Sequence, residues 1–342
     1  MSQCFQFKQF TVHQDRCGMK VGTDGVLLGA WAEGGKHILD IGTGTGLIAL
    51  MLAQRCPEAE ITGVELDEQA SLQALENVTM SAFAQQVKIE NMPIQQFSKQ
   101  QLLHSHFNAI VSNPPYSTKW VGKDDMALVN DPRFSSAGVL APSSKADLAF
   151  TMHMLHWLAE DGTAAIVEFP GVLYRGGAEG KIRRYLVENN FVHTIIQLPP
   201  DLFFGTTIAT CIIVLKKSRV DDKVLFVDAS SQFVREGNKN RLNEENREHL
   251  LSLAFERKDV EHVAKLVSID DIAANDWNLS VSSYVEPEDT REKVDIAELN
   301  NRIAGIVERQ QQLRASIDAI VAELEADQLV SAVSGENSRE GE

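Results

Sequence analysis

The chain has 342 residues, 44% of them hydrophobic, enough to bury a full core with room for an appendage. A formal net charge of −16 argues against an unaided grip on nucleic acid, because neutralising phosphates needs clustered Lys and Arg; a basic partner or a locally basic cleft has to compensate. Cys4, Cys17, Cys56 and Cys211 stand too far apart for a disulfide framework or a zinc cage, no apolar run reaches membrane-spanning length, and no signal peptide opens the chain. A cytoplasmic protein without a metal or a membrane partner is expected.

Residues 5–20 are polar with scattered apolar positions. In the following segment, Val21 to Trp31, the turn Thr23-Asp24-Gly25 stands before an apolar helix-like run, where it is either a helix cap or a ligand contact through Thr23. Ile38-Leu39-Asp40-Ile41 reads as a buried strand that runs into Gly42-Thr43-Gly44-Thr45-Gly46, and the apolar run Leu47 to Arg55 reads as the helix behind that loop. Glycines let backbone approach a ligand closely, so this is a strand-loop-helix nucleotide site. The spacing Gly42-x-Gly44-x-Gly46 differs from the dinucleotide fingerprint, which argues against a pyrophosphate. A second strand, Ala59 to Val64, carries Glu65 at its end, placed to accept hydrogen bonds from ribose hydroxyls, and Asp67 caps a helix over 68–80. Val87 to Glu90 is a third strand.

Phe107 to Val111 is a fourth, and it stops at Ser112-Asn113-Pro114-Pro115-Tyr116. Proline fixes its own φ and restricts the residue before it, so the Pro114-Pro115 pair holds Asn113 extended with its side chain aimed one way. The Asn113 carboxamide oxygen and a proline carbonyl can each accept one N–H of a planar exocyclic amine, and Tyr116 offers a ring face. With both hydrogens held, the lone pair points toward an electrophile. A plain strand-ending turn is the alternative.

Trp120 to Pro142 is too polar for a core element and reads as a surface excursion or a flap. Lys145 to Glu160 is helical, with His153 and His156 as half-buried helix residues and not ligands. Strands follow at 163–169, 192–198, 209–215 and 224–229, and between the second and third of these Phe203 and Phe204 lie in a loop where they are core or binding surface. Residues 232–267 have a charged helical pattern, and Trp277 to Tyr284 reads as extended. Ile296, Leu299, Ile303, Ile306, Leu313, Ile317, Ile320 and Leu324 then alternate at three and four residues, with Gln310 in the missing seam position; this is a heptad stripe narrow enough for a partner helix. The expected division is a domain over 1–230, a helical and extended part over 231–290, the heptad helix over 291–330 and a disordered tail over 331–342.

Glycine loop, strand-end Glu65 and Asn-Pro-Pro-Tyr together resemble the class I S-adenosylmethionine-dependent methyltransferases, and more narrowly those that modify adenine at N6. The resemblance implies a doubly wound, mostly parallel α/β sheet, here with a C-terminal helical arm. It implies S-adenosylmethionine as cofactor, contacted by Thr23, Asp40, Gly42, Gly44, Gly46, Glu65 and Asn113, with Asn113, Pro114, Pro115 and Tyr116 holding the amine for in-line attack. Members usually carry an acid after the third strand; Pro93 stands there in this chain, and Asn91 is the expected substitute for the cofactor adenine.

The wording is divided. Residues 5–116, including Lys20-Val21-Gly22-Thr23-Asp24-Gly25, resemble the enzymes that methylate an adenine in valine tRNA. Residues 111–327, including Tyr174-Arg175-Gly176-Gly177 and Leu198-Pro199-Pro200-Asp201-Leu202-Phe203-Phe204, resemble the methylation subunit of type I restriction-modification systems. The chain reads as a hybrid joined at its Asn-Pro-Pro-Tyr loop, without the large N-terminal helical domain of those subunits. By resemblance Phe203 or Phe204 stacks with Tyr116 on an extruded adenine. The expected function is adenine-N6 methylation of DNA in a complex with a basic specificity subunit, with tRNA methylation, protein glutamine methylation and an inactive partner-binding scaffold as the open alternatives.

Overall fold

In the computed structural model the described residues are 4–100, 107–202, 209–237, 239–288 and 295–336. They fall into two units, residues 1–287 and 288–342. The first opens with an antiparallel pair, β1 (Cys4–Gln6) and β2 (Thr11–His13), and helix α1 (Thr23–Trp31). Strand and helix then alternate through β3 (His37–Ile41), α2 (Leu47–Arg55), β4 (Glu60–Glu65), α3 (Glu68–Thr79), β5 (Val87–Asn91), α4 (Ile94–Gln100) and β6 (Phe107–Ser112). Past β6 come α5 (Met126–Val129), α6 (Pro132–Ser135), α7 (Asp147–Trp157), β7 (Leu158–Glu168), α8 (Ala178–Glu188), β8 (Val192–Gln197), β9 (Cys211–Lys216) and β10 (Lys223–Asp228). An antiparallel pair, β11 (Val234–Glu236) and β12 (Lys239–Arg241), precedes α9 (Glu244–Glu256), β13 (Ala264–Ser268) and α10 (Ile269–Ala274).

Nine strands form one sheet in the order β13-β10-β8-β9-β7-β6-β3-β4-β5. β9 runs against both its neighbours and β13 against β10; the remaining pairings are parallel, so the doubly wound, mostly parallel sheet is present. Such strands are covered on both faces and therefore read as apolar runs, with successive side chains going to opposite sides. In β6, Ala109 and Val111 join one core with Leu28, Leu50 and Leu250, while Ile110 joins the other with Leu148, Met152 and Ile182. Helices α1, α2 and α9 thus cover one face, and α7, α8 and α10 the other.

Several expectations change. The sheet does not end near residue 230: β13 pairs with β10, from Lys223 opposite Ser268 to Val227 opposite Ala264, where a charged helical pattern was expected. Lys265 is exposed and Val267 buried, so a half-covered edge strand produced that mixture. Residues 281–283 form a single 3-10 turn in place of an extended run. The segment 120–142 is no mere polar excursion, because it sends Leu128, Phe134, Leu140 and Ala141 into the core; Trp120 packs on Phe134, ring centroids 5.5 Å apart. Among the described residues no helix is long and apolar enough to cross a membrane.

The second unit contains α11 (Ile296–Glu336), which runs on through residues 331–336, where a disordered tail was expected, because the helix continues past the last stripe residue, Leu324. Ile296, Leu299, Ile303, Ile306, Leu313, Ile317, Ile320 and Leu324 are all exposed along it.

His153 is fully buried, not half-buried, and stacks on Phe134 at 5.5 Å. Burial above all, with the Arg133 and His156 charges adding to it against Asp131, pushes its pKa down to about 3. The native imidazole stays neutral while the unfolded chain takes up a proton below its ordinary value, so this site withdraws stability as pH falls through the window from 6.5 toward 3. Replacing His153 by Phe is expected to flatten the loss of melting temperature between pH 7 and pH 5; an unchanged slope would contradict this account.

Candidate active site

Three loops leave the carboxyl ends of adjacent parallel strands and enclose one cavity of about 650 Å³, the place where open α/β sheets bind ligands. The first follows β3. Gly42, Gly44 and Gly46 have φ of 71°, 56° and 80°, all in the left-handed region, which explains why every second residue there is glycine. Backbone hydrogen bonds from Gly42 N and Thr43 N to Val64 O pin the loop to the neighbouring strand, and Gly46 caps α2. Beneath it Asp40 is fully buried, and its Oδ2 accepts the Thr43 hydroxyl at 2.6 Å. Burial pushes Asp40 up to about 7. Asp40 therefore supports the loop from behind and does not line the cavity.

The second loop follows β4. Glu65 Oε2 accepts Gly44 N–H at 2.8 Å and Oε1 accepts Asp67 N–H at 2.9 Å, so one carboxylate ties the first loop to the start of α3. Asp67 caps α3 through Ala70 N, as expected. Glu65, Leu66, Asp67, Met92, Pro93 and Ile94 continue the wall, setting a carboxylate beside apolar side chains.

The third loop follows β6. Asn113, Pro114 and Pro115 reach the wall, and Asn113 Nδ2 donates to Asp24 Oδ2 at 2.8 Å. The Tyr116 hydroxyl lies 3.2 Å from Asn113 Oδ1 and 3.4 Å from Asp24 Oδ2. Its burial first, and then the Asp24 charge, push the phenol well above its ordinary range, so it remains a donor. The Pro115 carbonyl accepts the Thr118 hydroxyl at 3.0 Å.

A fourth wall was not read from sequence. Residues 16–22 cross the cavity, held by side chains of α3: Gln73 accepts Arg16 N–H at 2.8 Å, and Arg16 pairs with Glu76 at 3.1 Å. Asn77, fully buried, accepts His13 N–H at 2.8 Å and donates to the His13 and Thr45 carbonyls, both at 2.9 Å. Phe150 from α7 also lines the cavity.

The expected site residues are therefore divided. Gly42, Gly44, Glu65, Asn113, Pro114 and Pro115 stand on the wall. Thr23 does not; the next residue, Asp24, does, because the helical turn that starts at Thr23 brings Asp24 round to the cavity side. Asn91 does not either, since its amide donates to the Glu65 carbonyl at 3.0 Å and the Leu66 carbonyl at 3.3 Å, leaving Met92 and Pro93 to face inward. Asp40 and Gly46 lie behind the wall, and Tyr116 joins it only through Asn113 and Asp24. Phe203 and Phe204 lie outside the described residues.

Truncating Asn77 to Ala would leave the part-buried His13 backbone of β2 and the buried Thr45 carbonyl of the glycine loop without their hydrogen bonds. A loss of about 2–3 kcal/mol in stability, measured by denaturant unfolding, is expected. A loss below about 0.5 kcal/mol would mean that water replaces the amide.

Residues 27–293 match the N-6 DNA methylase family. Over 222 residues the chain is 48% identical to the methylase subunit of the type I restriction enzyme MpnII of Mycoplasma pneumoniae, covering 65% of this chain and 41% of that protein. Over 116 residues it is 55% identical to a tRNA1(Val) (adenine(37)-N6)-methyltransferase of Trichodesmium erythraeum, covering 33% of this chain and 48% of that one. The chain thus spans about half the length of these relatives or less. Among solved structures, a type I restriction-modification methyltransferase subunit from Streptococcus thermophilus superposes with a TM-score of 0.70 at 34% identity, over 77% of this chain and 57% of the other. The glycine loop, the strand-end acid and the Asn-Pro-Pro-Tyr loop all lie within the matched residues or border the cavity they build, and the chain belongs to the N-6 DNA methylase family.

Proposed function

We propose that this chain transfers a methyl group from S-adenosylmethionine to the exocyclic N6 amine of adenine in DNA, in the cytoplasm, as the modification subunit of a restriction-modification-type complex. The observation that carries the reading is Asn113 on the wall of a glycine-loop cavity with its amide nitrogen tied back to Asp24, which turns the carboxamide oxygen toward the Tyr116 side. Two features support the cofactor. The Glu65 carboxylate keeps lone pairs for ribose hydroxyls beyond the two backbone N–H groups it already accepts, and the left-handed glycines let the amino-acid end come against bare backbone.

The chain's own groups then position the amine. Asn113 Oδ1 and a backbone carbonyl of the Pro114-Pro115 pair accept one N–H each. Holding both hydrogens directs the nitrogen lone pair at the donor side of the cavity, and positioning of this kind removes much of a transfer barrier. When bound, S-adenosylmethionine supplies a sulfonium-activated methyl group and retains the electron pair of the broken C–S bond, and the methylated amine gives up one of its two protons to solvent. Tyr116, with Phe203 or Phe204, is assigned to stack on the adenine, which leaves a duplex to reach the site.

DNA is preferred because the longer similar stretch, 222 residues, is shared with a type I methylase subunit. The similarity of 116 residues to a tRNA enzyme favours tRNA adenine as the second reading. Asn113→Ala is expected to abolish transfer of labelled methyl to adenine-containing duplex while leaving cofactor affinity nearly intact. Glu65→Ala should do the reverse first, weakening cofactor binding by about 1–3 kcal/mol in calorimetry. Label appearing in tRNA and not in duplex would move the assignment to the second reading.

The exposed stripe of α11 is assigned to a helix of a basic specificity subunit, which offsets the net charge of −16. Truncation before Asp295 should abolish assembly with such a subunit and leave cofactor binding unchanged. Salt-sensitive tight DNA binding by the chain alone would refute the need for it.

A further inference from the structure

We propose that Asp24 is a positioning residue that fixes the rotation of the Asn113 carboxamide, so that Oδ1 and not Nδ2 is presented to the substrate amine. This rests on the methyl-transfer reading of the site. An asparagine side chain can turn by half a rotation with almost no change of shape, exchanging an acceptor for a donor at the same place. An Asn113 turned the wrong way would set its own N–H groups against those of the amine. Nothing in the Pro114-Pro115 backbone prevents this, because the prolines restrain the main chain and not the amide torsion.

Asp24 removes the ambiguity by chemistry. A carboxylate only accepts, and at 2.8 Å from the amide it tolerates Nδ2 and repels Oδ1. Tyr116 is compatible with this choice and does not decide it: its hydroxyl can donate to Asn113 Oδ1 at 3.2 Å or to Asp24 Oδ2 at 3.4 Å, so the carboxylate of Asp24 sets the rotation. The approach is built into the first turn of α1. A Cβ at Gly22 would overlap the Asp24 carboxylate, and one at Gly25 would press within 3.2 Å of Leu47 and stand 3.8 Å from Asn113 Nδ2. Asp24 is 8% exposed and lines the cavity, so water competes little for its oxygens.

Two readouts test this on the full chain. In protein labelled with 15N-asparagine, the side-chain NH2 signals of Asn113, identified by their loss in Asn113→Ala, should show slow solvent exchange in the wild type. In Asp24→Ala they should shift and exchange rapidly, and in Asp24→Asn they should shift less, because the new carbonyl still accepts from Nδ2 without the charge. In labelled-methyl assays on adenine-containing duplex, Asp24→Ala should lower kcat on the order of a hundredfold with little change in KM for DNA, and Asp24→Asn should recover most of it. Should Asp24→Ala fail to fold, the smaller shift in Asp24→Asn decides. Unmoved Asn113 signals in Asp24→Asn or Asp24→Ala, or wild-type kcat in Asp24→Ala, would overturn the proposal. Absence of transfer in the wild type, with the Asn113 signals still responding to Asp24, would overturn the functional reading and uphold the orientation.

Discussion

The parallel pairing of β3 with β6, which sets Asp40 opposite Val111 and Ile41 opposite Ser112, is the constraint on which the cavity depends. It brings the glycine loop and the Asn-Pro-Pro-Tyr loop out of the sheet as neighbours, although about seventy residues separate them in sequence. Register matters here more than strand content. A slip of one residue would exchange Ile110 with Ala109 and Val111 between the two cores and would turn Asn113 to the wrong side. The buried Ser112 hydroxyl, donating to the Ile41 carbonyl at 2.9 Å, marks the last rung of this ladder. Beyond it both strands give way to residues that line the cavity.

Carboxylates under these loops are held against their ordinary solvation. Asp40 and Glu168 are both fully buried, and burial raises each above its usual range, Glu168 further because Asp147 and Glu179 lie near it. Asp40 recovers part of the cost through Thr43, Glu168 through Thr151 at 3.2 Å. The two acids stand at or near the ends of β3 and β7, on either side of β6. Ion-accepting groups in such places are expensive in folding free energy, and a loop that must keep three left-handed glycines in place gains from the fixed acceptor that Asp40 provides.

Much of this was legible in the sequence, and the limit falls where side chains meet across long separations. The strands of the sheet's first half announce themselves as apolar runs bounded by glycine or proline, and Asp67 announces its cap. Thr23 was expected on the cavity where Asp24 stands, because a turn can be read from Thr-Asp-Gly but its rotation about the helix axis is set by Leu27 and Leu28 packing against α2. Asn91 was expected inward for its polarity, and two carbonyls of the β4 loop claim its amide instead. The segment 120–142 looked too polar for a core. Its buried apolar residues stand six apart at 128, 134 and 140 with one more at 141, too sparse to mark a helix or strand face, and Arg133, only 7% exposed, is neutralised by Asp131 two residues away, so neither periodicity nor composition reveals it.

The two stretches of different resemblance are not two domains. Leu39 and Ile41 share one core with Ile166 and Ile195, and Ile38 and Val111 share the other with Val167 and Ile196, so both cores draw on both stretches. Besides that packing, the β6–β7 ladder crosses the junction, from Ala109 opposite Thr163 to Ser112 opposite Ile166, and its backbone hydrogen bonds do not depend on side-chain identity. Among the described residues, side-chain bonds across it are few. Glu33 accepts from Thr163 at 2.8 Å and from Lys216 at 2.7 Å, and Arg133 donates to the Gln95 carbonyl at 3.1 Å. The Asp24–Asn113–Tyr116 cluster, by contrast, lies wholly within residues 5–116. The change of resemblance near Tyr116 therefore leaves this hydrogen-bonded cluster in one piece, and the β6–β7 ladder and the two shared cores carry the connection.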